Sequence, residues 1–129
     1  MASIFTRIIK GEIPCHKLAE DERYLAFLDI NPLREGHTLV IPKMEVDYLF
    51  DLDDDVLAGM LPFARSVARK IRSVVPCERI GLTVIGLEVP HAHIHLIPID
   101  GMHDMEFSRA KLKMTPEAMT ALAQRIRTA

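Results

Sequence analysis

The chain has 129 residues, 49% of them hydrophobic and 5% aromatic, and a formal net charge of −2 with the histidines neutral. That is the size of one domain around one core, so a second independent domain is excluded. The 16 basic and 18 acidic side chains are interspersed, which excludes the clustered basic face that duplex nucleic acid requires; the longest apolar run, Val56 to Ala64, holds Gly59 and Pro62 and is far short of the roughly 20 residues that span a bilayer.

The N-terminus lacks the charged-then-apolar pattern of a secretory signal, and Cys15 and Cys77 have no paired spacing. Both read as reduced thiols, and the expected location is cytoplasmic.

The first element is a short helix capped by Ser3, with Ile4, Phe5, Ile8 and Ile9 on one face and Gly11 ending it. His16 to Glu20 and Arg23 to Asp29, separated by Asp21-Glu22, read as a hairpin. Asn31-Pro32 forces a loop; Gly36 then lets the chain re-enter extended structure over His37 to Ile41, which Pro42 stops. Val56, Met60, Ala64, Val67, Ala68, Ile71 and Val74 recur at three and four residues, so Asp53 to Val75 reads as an amphipathic helix that Pro62 should bend. Ile80 to Ile85 reads as a strand, Gly86 to Pro90 as a turn, and His91 to Ile97 as a strand bounded by Pro90 and Pro98. After an irregular stretch, Thr115-Pro116-Glu117 opens a last helix to about Arg127. Hairpin-length turns and a single long helix predict an α+β domain, with an antiparallel sheet and its helices gathered on one side.

Of six histidines, His91, His93 and His95 fall on alternate positions of one strand. They share a face, while Ala92, Ile94 and Leu96 share the other and face the core. Alternate side chains on a strand are about 6.6 Å apart and the outer pair about 13 Å. Zinc takes nitrogen at about 2.0–2.1 Å, so all three cannot easily share one ion. Three imidazoles on so apolar a strand are also a poor fit to a merely solvated face. Nucleophilic or acid–base catalysis therefore ranks above metal binding: a neutral imidazole can attack phosphorus or carbonyl carbon while a neighbour handles the proton. His37, opening another strand, is positioned to meet this row across the sheet.

The run His91-Ala92-His93-Ile94-His95-Leu96-Ile97 resembles the signature of the histidine triad (HIT) family. Ile4 to Pro14, Leu25 to Pro32 and Gly36 to Lys43 are similar to the patterns of its Hint-like branch in bacteria, in the same order. The resemblance covers roughly residues 3–98 of a single domain spanning 1–129, and the tail, 99–129, adds little to it. It implies a five-stranded antiparallel sheet with one long helix and short terminal helices, the sheet extended across a homodimer. It also implies a purine nucleoside phosphoramidase or nucleotidyl hydrolase acting at the α-phosphate of a purine nucleotide or nucleoside phosphoramidate, with no cofactor. Carried over, His93 is the nucleophile that forms a nucleotidyl-imidazole intermediate, and His95 contacts the phosphate or leaving group. His91 and His37 orient the central imidazole; Asp29 accepts bonds from the ribose hydroxyls; Phe5, Ile13, Phe27, Ile30 and Leu39 line the base and sugar pocket.

Read without the family, those five apolar residues are core, Asp29 is a turn former and His37 is a satisfied strand-edge histidine. His16 and His103 match no motif and read as surface residues. The alternative to an enzyme is a nucleotide-binding or regulatory module of the same fold with little turnover.

Two departures from the family pattern stand out. Many bacterial relatives hold a structural zinc at positions that correspond here to Ser3, Thr6, Glu45 and His91, and three of these four are not zinc ligands of that kind, so no structural metal is expected. Relatives also place an Asn and then Gly-Gln-Ser/Thr-Val before the triad. This chain has Thr83 and Gly86-Leu87-Glu88-Val89. Glu88 puts an anion where phosphate should sit, at a cost of about 1 kcal/mol in water at 4 Å and more in a shielded site. Either Glu88 turns away or the substrate carries a compensating cation, and the hypothesis is that Glu88 faces the leaving-group side and favours a basic leaving group.

Overall fold

The structure, a computed structural model, describes residues 2–129. Its elements run α1 (Ile4–Ile9), β1 (Lys17–Glu20), β2 (Tyr24–Leu28), β3 (Thr38–Pro42), α2 (Asp54–Val74), β4 (Arg79–Thr83), β5 (Ile94–Ile99) and α3 (Pro116–Arg127), with 3₁₀ turns at Leu49–Asp51 and Met102–Met105. The five strands form one antiparallel sheet in the order β1-β2-β3-β5-β4.

Side-chain alternation divides this sheet into two unlike faces. Ala26, Leu28, Val40, Ile94 and Leu96 meet Val56, Met60, Ala64, Val67 and Ile71 of α2 and Met119, Leu122, Ala123 and Ile126 of α3 in the main core. The intervening residues Leu25, Phe27, Leu39 and Ile41 turn the other way and pack with Phe5 of α1 in a smaller cluster. Strands β2 and β3 are therefore buried on both faces. The helices do not all gather on one side: α2 and α3 do, while α1 covers part of the opposite face. Six residues cannot hold a helix alone, and α1 is pinned by Ser3, whose hydroxyl accepts the Thr6 N–H at 3.0 Å, and by the buried Phe5 ring.

Pro98 behaves differently from the sequence expectation, and Pro62 is accommodated without ending its helix. Pro62 lies inside α2, which is one continuous helix; it is exposed, as is Ala58, so water can reach the carbonyl that lost its partner. Pro98 lies within β5 and pairs with Ile80 rather than ending the strand. The Glu78 N–H bonds the Ile99 carbonyl at 3.1 Å, so the backbone groups of Ile99 face β4 and those of Pro98 face away. On that side β3 pairs only with Ile94 to Leu96, so no ladder bond is missing. Strand β4 stops at Thr83, leaving Val84 and Ile85 exposed in the loop.

A second shift concerns the histidine strand itself. β5 begins at Ile94, so His91 and His93 lie in the extended approach to it, anchored by the Ala92 N–H to the Val46 carbonyl at 2.7 Å. The alternation still holds, with Ala92, Ile94 and Leu96 in the core.

Candidate active site

Leu39 is the strand partner of both Phe27 and His95, and His95 is in turn paired with Thr83. This row crosses the face that α1 only partly covers, and beside it opens a cleft of about 430 Å³. All of Phe5, Ile13, Phe27, Asp29, Ile30, His37, Leu39, Glu88, His93 and His95 line it. Phe5, Phe27 and Leu39 are buried in its floor, whereas Ile30 is 70% exposed at its rim, so the core reading fails for Ile30. His91 does not line the cleft; it lies behind, its ring edge-on to Phe5 at 5.8 Å. His103 is exposed and His16 half-buried, both outside the cleft.

The hydrogen bonds fix which ring nitrogen carries each proton. A backbone carbonyl only accepts and a backbone N–H only donates. His93 Nδ1 is 2.7 Å from the His91 carbonyl, so Nδ1 carries the proton and the neutral ring has a bare lone pair on Nε2. The Leu33 N–H donates to His37 Nδ1 at 3.0 Å, which puts the His37 proton on Nε2. That proton points to His95 Nδ1, 3.0 Å away, so the neutral His95 is protonated on Nε2. One cleft histidine thus presents an acceptor and the next a donor, with ring centroids 5.0 Å apart.

The orienting contacts differ from the carried-over roles. His91 holds His93 through its carbonyl, not its imidazole, because the strand geometry turns the His91 ring away. That ring donates from Nε2 to the Pro42 carbonyl at 2.8 Å and accepts the Ser3 hydroxyl proton on Nδ1 at 2.7 Å. His37 acts on His95 and not on His93.

Burial pushes the His37 and His95 imidazoles down, to about 3 and about 4, with each further opposed by a neighbouring histidine and by Lys111. Both are neutral at pH 7. Burial likewise lowers His91 and raises the Asp29 carboxyl above its ordinary value. Asp29 is a turn former, its Oδ1 accepting the Asn31 N–H at 2.8 Å, and it also lines the cleft, with Oδ2 3.6 Å from His37 Nε2.

Asp29, His37 and His95 each offer a ligand atom within 4.8 Å of the others. His37 Nε2 and His95 Nδ1 already share a proton, however, and His37 Nδ1 is taken by Leu33, so a metal there would have to displace an existing bond. Ser3, Thr6, Glu45 and His91 do converge in space. Glu45 Oε1 accepts from the Ser3 N–H at 2.7 Å and from the Thr6 hydroxyl at 2.5 Å, and Ser3 passes its own proton to His91. Two hydroxyls and a carboxylate without a thiolate, around an imidazole with both nitrogens engaged, do not fit a structural zinc. The hydrogen-bond chain itself ties α1 to the histidine segment.

Sequence reasoning missed Phe107 and Lys111, both of which line the cleft from the tail after β5. The Phe107 ring stands edge-on to His95 at 4.9 Å and to His37 at 6.1 Å. No periodic pattern marks this segment, so nothing in the sequence pointed to it.

Residues 10–102 match the family model described as HIT domain. The chain is 36% identical over 129 residues to an adenosine 5'-monophosphoramidase of Schizosaccharomyces pombe, covering 98% of this chain and 96% of the relative. Among solved structures, a Hit-like protein from Bartonella henselae superposes with a TM-score of 0.84 at 30% identity, over 98% of this chain and 94% of that one. A zinc-bound histidine triad family protein from Mycobacterium smegmatis gives 0.81 at 27% identity, over 99% and 92%.

Proposed function

The chain belongs to the HIT-domain family, and from that premise we propose that it is a hydrolase acting at the α-phosphate of purine nucleotides, a nucleoside phosphoramidase that works through a nucleotidyl-histidine intermediate. The observation that carries this reading is the bond from His93 Nδ1 to the His91 carbonyl, which leaves Nε2 as an unprotonated nucleophile toward the cleft. The relative from Schizosaccharomyces pombe supports the choice of adenosine phosphoramidate as substrate.

The chemistry follows from the tautomers. His93 Nε2 forms a bond to phosphorus as the bond to the leaving nitrogen breaks, and the departing amine takes a proton from water. The ring then carries positive charge, which the His91 carbonyl on Nδ1–H stabilises. His95 Nε2–H donates to a non-bridging phosphoryl oxygen where charge accumulates. The hydroxide left by that proton transfer then attacks phosphorus, the bond to Nε2 breaks, and the nucleoside monophosphate leaves with His93 regenerated. Asp29 Oδ2 accepts from ribose hydroxyls, and Phe5, Phe27 and Leu39 form the apolar floor under base and sugar, with Ile13 and Ile30 at its sides.

We further propose the homodimer. Strand β4 is a sheet edge, and beside it Leu61, Leu82, Val84 and Ile85 are exposed. An open edge flanked by apolar side chains favours pairing with a second β4.

The deciding experiment is a rapid quench in alkaline denaturant during turnover of adenosine phosphoramidate, because a phosphorus–imidazole bond is labile in acid, followed by mass measurement of the protein. A covalent adenylate that disappears in His93→Ala supports the reading. AMP binding with no trapped adenylate and no product would instead identify a nucleotide-binding module.

A further inference from the structure

The cleft holds carboxylates at Asp29 and Glu88 but, among the described residues lining it, only one permanently cationic side chain, Lys111. The histidines do not make up this deficit. His37 and His95 are neutral at pH 7, and His93 must be unprotonated on Nε2 to attack. An adenylate would therefore bring negative phosphate into a site whose fixed side chains carry two negative charges and one positive.

Lys111 is held in position. Its Nζ donates to the Phe107 carbonyl at 2.8 Å and lies 5.4 Å from the centre of the Phe107 ring, the same ring that stands against His95. The next residue, Leu112, donates its N–H to the Pro32 carbonyl at 2.7 Å, fastening the tail beside the Asp29 loop. Upstream, Asp104 is gripped by Arg34 at 2.6 Å and Arg109 at 3.0 Å, anchoring the tail next to the segment that leads to His37. The ammonium is close enough to Asp29, His37 and His95 to bias the protonation of all three.

We propose that Lys111, from the tail, is the binding cation for the α-phosphoryl group, offsetting Glu88 and holding phosphorus against His93. This rests on the nucleotidyl-hydrolase reading above. It removes the need for a basic leaving group: the compensating charge is supplied by the chain itself. The ammonium exchanges the Phe107 carbonyl for a phosphoryl oxygen, a charge-assisted bond in place of a neutral acceptor.

The test is calorimetric titration of the full chain and of Lys111→Met and Lys111→Arg with AMP and, separately, with adenosine, at low and high salt. Expected is an AMP affinity about tenfold weaker in Lys111→Met, restored in Lys111→Arg, with adenosine affinity unchanged and the salt dependence of AMP binding flattened. Equal losses for AMP and adenosine would overturn the proposal, reducing Lys111 to a support for Phe107, and so would an unchanged AMP affinity. Failure of the wild-type chain to bind AMP at all would instead overturn the nucleotide reading beneath it.

Discussion

His37 Nε2 lies 3.0 Å from His95 Nδ1, and the proton between them belongs to His37 because the Leu33 N–H occupies the other side of that ring. A backbone amide two hydrogen bonds removed from His95 thus determines which of its ring nitrogens is a donor. In the proposed reaction a base would be useless at that position, since a developing phosphoryl anion needs a proton donor.

This relay separates two substitutions at His37. His37→Phe removes the donor and lets His95 populate both tautomers, so kcat should fall roughly tenfold with KM little changed. His37→Gln keeps an N–H that can reach Nδ1 and should retain most of kcat. Steady-state kinetics on adenosine phosphoramidate, with ¹⁵N chemical shifts of the His95 ring, reads both effects; equal loss in the two variants would contradict the relay.

The same burial makes the fold sensitive to acid. His37 and His95 titrate at about 3 and about 4 in the folded chain but near 6.5 when unfolded. Between those values the unfolded chain binds more protons, so stability rises with pH and is progressively lost as pH falls from about 6.5 toward 4. Urea midpoints measured across that range should fall steadily. His37→Gln, which cannot titrate, should show a shallower decline.

Gly59 sits in α2 where an added Cβ would collide with the Tyr24 hydroxyl, which is committed to the Val56 carbonyl at 2.6 Å. Helix propensity alone would make Gly59→Ala stabilising by about 1 kcal/mol. We expect the opposite sign, because the clash breaks a buried bond worth about 1 kcal/mol and forces the ring to move. Thermal melts of Gly59→Ala, Tyr24→Phe and the double variant test this; the double variant should lose less than the sum of the singles.

The proposed dimer depends on the β4 edge. Leu82→Arg puts a charge on that edge beside Leu61 without touching the cleft, so it should yield a monomer in sedimentation velocity. A wild-type chain that sediments as a monomer would remove the proposal.

What the sequence made legible was whatever repeats or punctuates. The α2 stripe from Val56 to Val74, the Ser3 and Thr115 caps and the alternation about His93 all carry a period or a capping residue, and each stands in the structure close to where it was expected. Pro98 does not stop its strand, because the side of β5 that it faces lacks a neighbour, and that depends on pairings distant along the chain. The orienting role expected of the His91 ring went to its carbonyl, since residue type reports side chains and is silent about backbone groups. Phe107 and Lys111 were invisible for a different reason: they reach the cleft through the fastening of an aperiodic tail by Arg34, Asp104 and Pro32, contacts distant along the chain.

The segment that matches the family runs from residue 10 to residue 102. Phe5, whose ring stands edge-on to His93 at 5.1 Å, lies before it; Phe107, Lys111 and the four α3 residues in the core lie after it. The matched portion holds the cleft histidines, while Phe5 of the floor and Phe107 and Lys111 of the lining come from the two ends. A chimera that exchanged residues 10–102 alone would carry the cleft histidines without Phe5, Phe107 or Lys111, and the rings and charge beside His93 and His95 would be those of whichever termini it received.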